Sequence, residues 1–360
     1  MTYKGDDSFK TTYGGIISLF IKIILLIQAG VLFAVIINKG DTKKDLNTTV
    51  KDISNDKTKH FIGQGTFAFA VDFQDLVTGA NLLMDSTYFE LSMQNVFVTR
   101  YPNSSITFTA REIPYDQCGQ NFKFVTDQNQ YNRIGLARYA CPTSTDYYIS
   151  SDFFGDEFAN LQIDVKKCTN TTENGNHWKT DAEIESKMGS TRMQVAIIST
   201  YFDYDDYDNP VKTYLGAMDL ISLTPNLTQS LEVRVQENEG STDDHLFFNI
   251  GFETVKFYNA NTKIPRTENL QVNNDNIATI YFNLDRTSNS YERVVFTFID
   301  MFGFLGGLFD FIFFLGLFFV GYVSDKMYHN SVFANLYQVK CQNANKIERD
   351  EQPNNKNDSL

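Results

Sequence analysis

Two long apolar runs, one near each end of the chain, frame a middle in which apolar and polar positions alternate. Gly15 to Ile37 reads GIISLFIKIILLIQAGVLFAVII, and Met301 to Val323 reads MFGFLGGLFDFIFFLGLFFVGYV. Each is long enough to cross a hydrocarbon core, which takes about 20 residues of helix. The middle shows period two or short β-branched and aromatic runs at Thr66–Val71, Tyr88–Phe97, Ser105–Ala110, Gln194–Phe202, Leu231–Gln236, Leu246–Phe257, Ile277–Phe282 and Val294–Phe298. Such runs predict strands. Turn-rich stretches such as TNTTENGN (Thr169–Asn176) and QVNNDN (Gln271–Asn276) separate them. One helix is predicted in the middle, Thr180–Met188, with Thr180 as N-cap, Asp181 and Glu183 in the first turn and Gly189 after it. The predicted class is a mainly β membrane protein, two transmembrane helices flanking a large antiparallel β-sandwich-like exoplasmic domain. Its divisions are residues 1–14 (cytosolic), 15–37 (first span), 38–300 (β-rich domain), 301–323 (second span) and 324–360 (cytosolic tail). From about Cys341 the tail has almost no apolar residues and is expected to be disordered.

The first run carries Lys22 and Gln28, is too long for a secretory apolar core and precedes no small-x-small cleavage site, so it reads as an uncleaved signal anchor. Two spans put both termini on one side. N-x-[ST] triplets at Asn47, Asn103, Asn170 and Asn226 fall between the spans, and another lies at Asn357. Cys118, Cys141 and Cys168 fall there too, which suits an oxidising lumen. Lys39, Lys43, Lys44, Lys51 and Lys57 follow the first span while Lys4 and Lys10 precede it, which points the other way. Because the positive-inside rule weakens for long translocated loops, the expectation is cytosolic termini and an exoplasmic, glycosylated middle, in a plasma membrane or an endomembrane. Three cysteines cannot all pair within one chain. Cys141 is expected to bond Cys118 or Cys168, leaving a thiol that is buried or bonds a second subunit.

The formal net charge is −13, and no nucleic-acid partner is expected of so acidic a chain. No G-x-S-x-G, H-E-x-x-H, P-loop or Cys-x-x-Cys occurs, and His60, His177, His245 and His329 lie far apart, so no enzymatic activity is expected. One acidic cluster, YFDYDDYDNP, carries Asp203, Asp205, Asp206 and Asp208. Closely spaced carboxylates supply oxygen ligands for calcium, the one candidate ion, although the spacing is not that of an EF-hand loop. The alternative is a solvated acidic turn closed by Asn209-Pro210.

The spans carry the most informative residues. On a helix, Gly303, Gly306, Gly307 and Asp310 share one face, continued by Leu317 and Gly321. Small residues let another helix approach, and an ionisable residue avoids lipid. In the first span Gly15, Ser18, Lys22 and Ala29 share a face, and Lys22 is the natural charge partner of Asp310. Asp310 is either a neutral, hydrogen-bonded glue between helices or part of a pore or oligomer axis. The expected partners are the lipid bilayer, a homo- or hetero-oligomer and an exoplasmic ligand of unknown chemistry.

FKTTYGGIISL (Phe9–Leu19) and FGFLGGLFDFIFFLGLFFVGYVSDKMYHNSVFANLYQVK (Phe302–Lys340) resemble a large set of ciliate two-pass membrane proteins. Cys141-Pro142, Cys168, YFDYDDYDNP and SLTPNLTQSLEV (Ser222–Val233) fit the same pattern. That resemblance implies topology and fold, and very little about activity. Gly306-Gly307-Leu308-Phe309 and Tyr328-His329 are similar to the ER–Golgi cargo-receptor proteins, and Gly303 and Asp310 to the second span of the ATP-gated purinergic channels. Few ectodomain cysteines and an acidic ectodomain speak against ATP as ligand. The expected function is therefore a receptor or channel-like subunit oligomerising through the Gly/Asp face, with a secretory-pathway cargo receptor as the alternative.

Overall fold

The computed structural model describes residues 12–63, 67–82, 87–119, 128–168, 179–216, 219–248, 251–269 and 276–336. Asn170, His177, Cys341 and Asn357 lie outside them. Two compact units form: Met1–Asp41 with Leu246–Phe248 and Phe296–Leu360, and Thr42–His245 with Asn249–Val295.

The second unit is built from strands β1 (Thr42–Val50), β2 (Ala68–Asp75), β3 (Phe89–Arg100), β4 (Ile106–Glu112), β5 (Tyr115–Gln117), β6 (Ala140–Pro142), β7 (Glu157–Lys167), β8 (Thr191–Phe202), β9 (Val211–Leu215), β10 (Asp219–Ser222), β11 (Leu227–Asp243), β12 (Glu253–Asn269), β13 (Asn276–Leu284) and β14 (Thr287–Val295). Helices α2 (Gln128–Ile134) and α3 (Asp181–Met188) interrupt them. One sheet runs β1-β14-β11-β13-β7-β3-β4, with β12 also on β11, and the other runs β10-β8-β2-β6-β5, with β9 on β8. Most ladders are antiparallel, as expected, but β11 pairs in parallel with β13 through Gln229–Val235 and with β14 through Asn238–Asp243. A strand has two edges, so β13 and β14 share one edge of the long β11 while β12 takes the other.

The core fills the space between the sheets. Phe69 and Val71 of β2 and Met193, Val195 and Ile197 of β8 meet Ile163 and Val165 of β7 and Ile280 and Phe282 of β13, all buried. The Phe69 and Phe282 rings stand 4.9 Å apart. Each such side chain contributes about 1.5–3 kcal/mol on leaving water. The alternation of β3 follows from one face pointing inward, whereas β2 and β8 are buried on both faces, with Ala70 and Ala196 in a second cluster beside Leu136 and Tyr139. The other unit holds α1 (Thr12–Ile37) and α4 (Phe298–Leu336), both long and apolar enough to cross a membrane.

Two expected strands are corrected. Residues 246–248 are irregular, Gly251 has a φ of 144°, and the strand begins only at Glu253. The doubled Phe247-Phe248 breaks the alternation that a half-buried strand needs. The run Val294–Phe298 is strand only to Val295. There Thr297 accepts from the Asp300 N–H while its own N–H donates to the Asp300 carboxylate, a reciprocal cap that starts α4 at Phe298. The helix then continues past Val323 to Leu336.

Candidate functional site

Along α4 the less exposed positions are Met301, Leu305, Leu308, Ile312, Gly316, Val320 and Val323, and along α1 they are Gly14, Ile17, Ile21, Leu25, Gln28, Leu32 and Val35. Both series step by three and four residues, the spacing of two helices packed along a seam. At Gly316 a Cβ would stand 3.5 Å from Ile21 Cδ1, so a small residue sets the approach of the two helices. Gly303, Gly306, Gly307 and Asp310 do share one face, but at about 100° per residue it is the face turned half a turn away from that seam. A Cβ at Gly303, Gly306 or Gly307 would meet nothing within 4 Å. Asp310 edges an open apolar hollow with Phe311, Phe314, Leu315 and Phe318.

The expected pairing of Lys22 with Asp310 does not form among the described residues. Lys22 instead lines a groove of about 460 Å³ on the α1 side, with Ser18, Phe313, Gly316 and Gly321. Six residues of helix, about 9 Å of rise, separate Asp310 from Gly316, and the two positions lie about 120° apart around the axis. Among the described residues the carboxylate has no hydrogen-bond or ion-pair partner at its own level. In a bilayer that leaves an ionisable group and three glycines together, uncovered, on a helix otherwise rich in Phe and Leu.

In the β-rich unit, the acidic segment is organised by cations that sequence reasoning missed. Arg293, on β14, is fully buried. Its guanidinium donates to both Asp244 carboxylate oxygens at 3.1 and 2.5 Å, and to the carbonyls of Tyr204 and Asp206 at 3.1 and 2.6 Å. It also lies 4.3 Å from the Tyr207 ring centroid. Lys212 bridges Asp203 and Asp206 at 2.6 and 3.0 Å, and Lys44 reaches Asp205 at 2.5 Å. The Asn209 backbone N–H and the Lys212 ammonium hold Asp206 down to about 2. Asp208 donates its backbone N–H to Asp206. The segment is a clamped turn in which the carboxylates of Asp203, Asp205 and Asp206 already have partners. Among the described residues no three His, Cys, Asp or Glu side chains converge as metal ligands.

Cys118 and Cys141 form the disulfide, with Cα atoms 4.9 Å apart, and Cys168 is buried in the main core outside it. Asn47, Asn103 and Asn226 are exposed. In the Asn103 triplet the Ser105 hydroxyl donates to Asn103 Oδ1 at 2.7 Å. A hollow of about 240 Å³ is lined by Asp152, Phe153, Phe154, Arg234, Asn283 and Arg286. Arg234 Nε and Asn283 Oδ1, both buried, have no hydrogen-bond partner among the described residues.

The family model described as the uncharacterised 80 kDa protein N-terminal domain matches residues 68–285. Among solved structures, the chain is similar to one titled as the cryo-EM structure of a proton-activated chloride channel, at 9% identity and a TM-score of 0.32, covering 88% of this chain and 97% of that one. It is also similar to the crystal structure of Erv41p, at 9% identity and a TM-score of 0.25, covering 69% of this chain and 99% of that one. No curated protein matches the sequence.

Proposed function

The chain belongs to the family of the uncharacterised 80 kDa protein N-terminal domain, and we propose that it is a non-enzymatic two-pass membrane glycoprotein, a receptor or channel-like subunit of an oligomer. The observation that carries this is the uncovered face of Gly303, Gly306, Gly307 and Asp310, opposite the seam that α1 occupies. A second copy is the partner that covers it, since glycines permit close backbone approach and a carboxylate in hydrocarbon needs protein or water beside it. The β-rich domain, with termini cytosolic and the exposed Asn47, Asn103 and Asn226 as glycan acceptors, is the sensing part. The hollow at Arg234 and Asn283 is where a small polar ligand would be held. The motifs shared with ciliate two-pass proteins fit the same plan.

The test is the subunit number of the full chain in nanodiscs, measured by native mass spectrometry. The unaltered chain is expected to be oligomeric, and Gly306→Leu or Gly307→Leu to leave monomers. Asp310→Asn is expected to preserve assembly and change ion flux in reconstituted vesicles where Asp310 faces water. A monomeric unaltered chain ends the proposal.

A further inference from the structure

The four backbone N–H groups that open an α-helix have no partner within it, and where no water is at hand each one left bare is costly. In α4 all four are met. Phe298 N–H donates to the Leu246 carbonyl at 2.9 Å and Ile299 N–H to the Phe247 carbonyl at 3.4 Å. Asp300 N–H donates to Thr297 Oγ1 at 3.2 Å, and the N–H of the cap residue Thr297 donates to the Asp300 carboxylate at 3.0 Å. Two of the four caps thus come from a segment about 50 residues upstream, the tip between β11 and β12, which belongs to the same compact unit as the spans.

The side chains of that tip are as unusual as its carbonyls. Phe247 and Phe248 are 68% and 53% exposed. The Phe247 ring lies 5.2 Å from that of Phe298, and Phe298 lies 5.8 Å from Phe33 near the end of α1. Rings from three segments therefore gather where both helices meet their ends. Past Asp300, the last charge before the apolar run, α4 is apolar down to Asp310. The tip is continuous with the lipid-facing surface of the spans, and exposed adjacent aromatics at that level mark a membrane contact rather than a water-facing loop.

We propose that Leu246–Phe248 is a third membrane-contacting element, which inserts Phe247 and Phe248 into the headgroup–acyl boundary while its carbonyls cap α4. The occupant of this surface is phospholipid. The inference rests on the two-pass reading but not on oligomerisation.

The experiment places a single tryptophan in the full chain reconstituted into phosphatidylcholine vesicles. Trp178, the chain's only tryptophan, is replaced by Phe in F248W, F247W, F304W and V77W variants. Val77 is 81% exposed and reports water, and Phe304 of α4 reports lipid. Emission from F248W and F247W is expected to be blue-shifted, quenched by lipid brominated near the upper acyl carbons at least half as strongly as F304W, and little quenched by iodide. Iodide quenching equal to that of V77W overturns the proposal, as does shielding from both quenchers, which would mean a protein cover. Loss of lipid quenching in F304W as well would instead refute the two-pass reading. Should the variants fail to fold, the unaltered chain is photolabelled with a phosphatidylcholine bearing a diazirine on its upper acyl chain. Labelling of the peptide containing 246–248 is expected, and a clean peptide beside a labelled α4 overturns the proposal.

Discussion

Arg293 shows how one residue reorganises the reading of a motif. In the sequence the aspartates of YFDYDDYDNP look like a ligand set, because four carboxylates face a single nearby cation, Lys212. The fold brings Arg293 from β14 under the segment and spends its guanidinium on Asp244 and two backbone carbonyls, at no exposure to solvent. Breaking a buried pair by removing one partner typically costs about 3–5 kcal/mol, because the other charge stays behind. Arg293→Ala is therefore expected to lower the unfolding free energy of the full chain in detergent by about that much. Arg293→Lys keeps the charge but loses the fork that holds both Asp244 oxygens, and should recover only part of the loss. Urea titration followed by tyrosine fluorescence reads both, and an Arg293→Ala loss under about 1 kcal/mol would fall in the range of an exposed pair and contradict the buried role.

At the level of elements, a polar cluster ties three segments of the β-rich unit together. Glu237 of β11 lies 3.4 Å from His60 Nδ1 and 3.1 Å from Lys256 Nζ of β12, with the Tyr258 hydroxyl 3.4 Å from the same His60 nitrogen. The hydrogen bond from His60, then the one from Lys256, holds the Glu237 carboxyl down to about 2, while burial and the Glu237 charge push Tyr258 up to about 12. A carboxylate depressed in the folded state contributes its stability in full above its ordinary value of 4.5, and loses it as pH falls toward 2. Thermal melts of the unaltered chain should therefore steepen their decline between those values, while Glu237→Gln should start lower at neutral pH and flatten there. An unchanged acid limb in Glu237→Gln would show that other carboxylates set it. Legibility divides along the same line. Helix α3 was readable because its Thr180–Glu183 capping box is local. Strand β3 was readable because it has one buried face, and β2, β8 and β13 because they are runs rich in β-branched and aromatic residues, buried along nearly their whole length. β1 (TKKDLNTTV) and much of β14 (TSNSYERVV) escaped because their side chains are mostly polar or exposed and their pairing with each other, Thr42–Val50 against Thr287–Val295, is a long-range fact. The disulfide was narrowed to two alternatives by counting and settled as Cys118–Cys141 only by geometry.

For the whole molecule, the decisive point is that α4 has one side packed on α1 and another left bare, and the sequence distinguishes them poorly. Every side of a helix in lipid is apolar, so Leu305, Leu308 and Ile312 on the seam look like the Phe and Leu that meet acyl chains. Only Gly303, Gly306, Gly307 and Asp310 stand out by periodicity, and they belong to the side α1 leaves bare. If one side holds the subunit together and the other joins subunits, substitutions on the two should act independently. Gly316→Leu would drive a side chain into Ile21 and should lower the melting temperature of the subunit, since overpacking costs about 1–3 kcal/mol. Gly306→Leu has open space within the chain and should leave intramolecular packing alone while lowering subunit number. The two positions lie about 15 Å apart along the axis, so their free energies should add within about 0.5 kcal/mol in the double variant. The measurements are paired: subunit mass in nanodiscs, and melting temperature of the dissociated chain at low concentration in detergent. Were Gly316→Leu to dissociate the assembly as strongly as Gly306→Leu, the two sides would not be separate surfaces, and the bare face of Gly303, Gly306, Gly307 and Asp310 would lose its claim to be the interface.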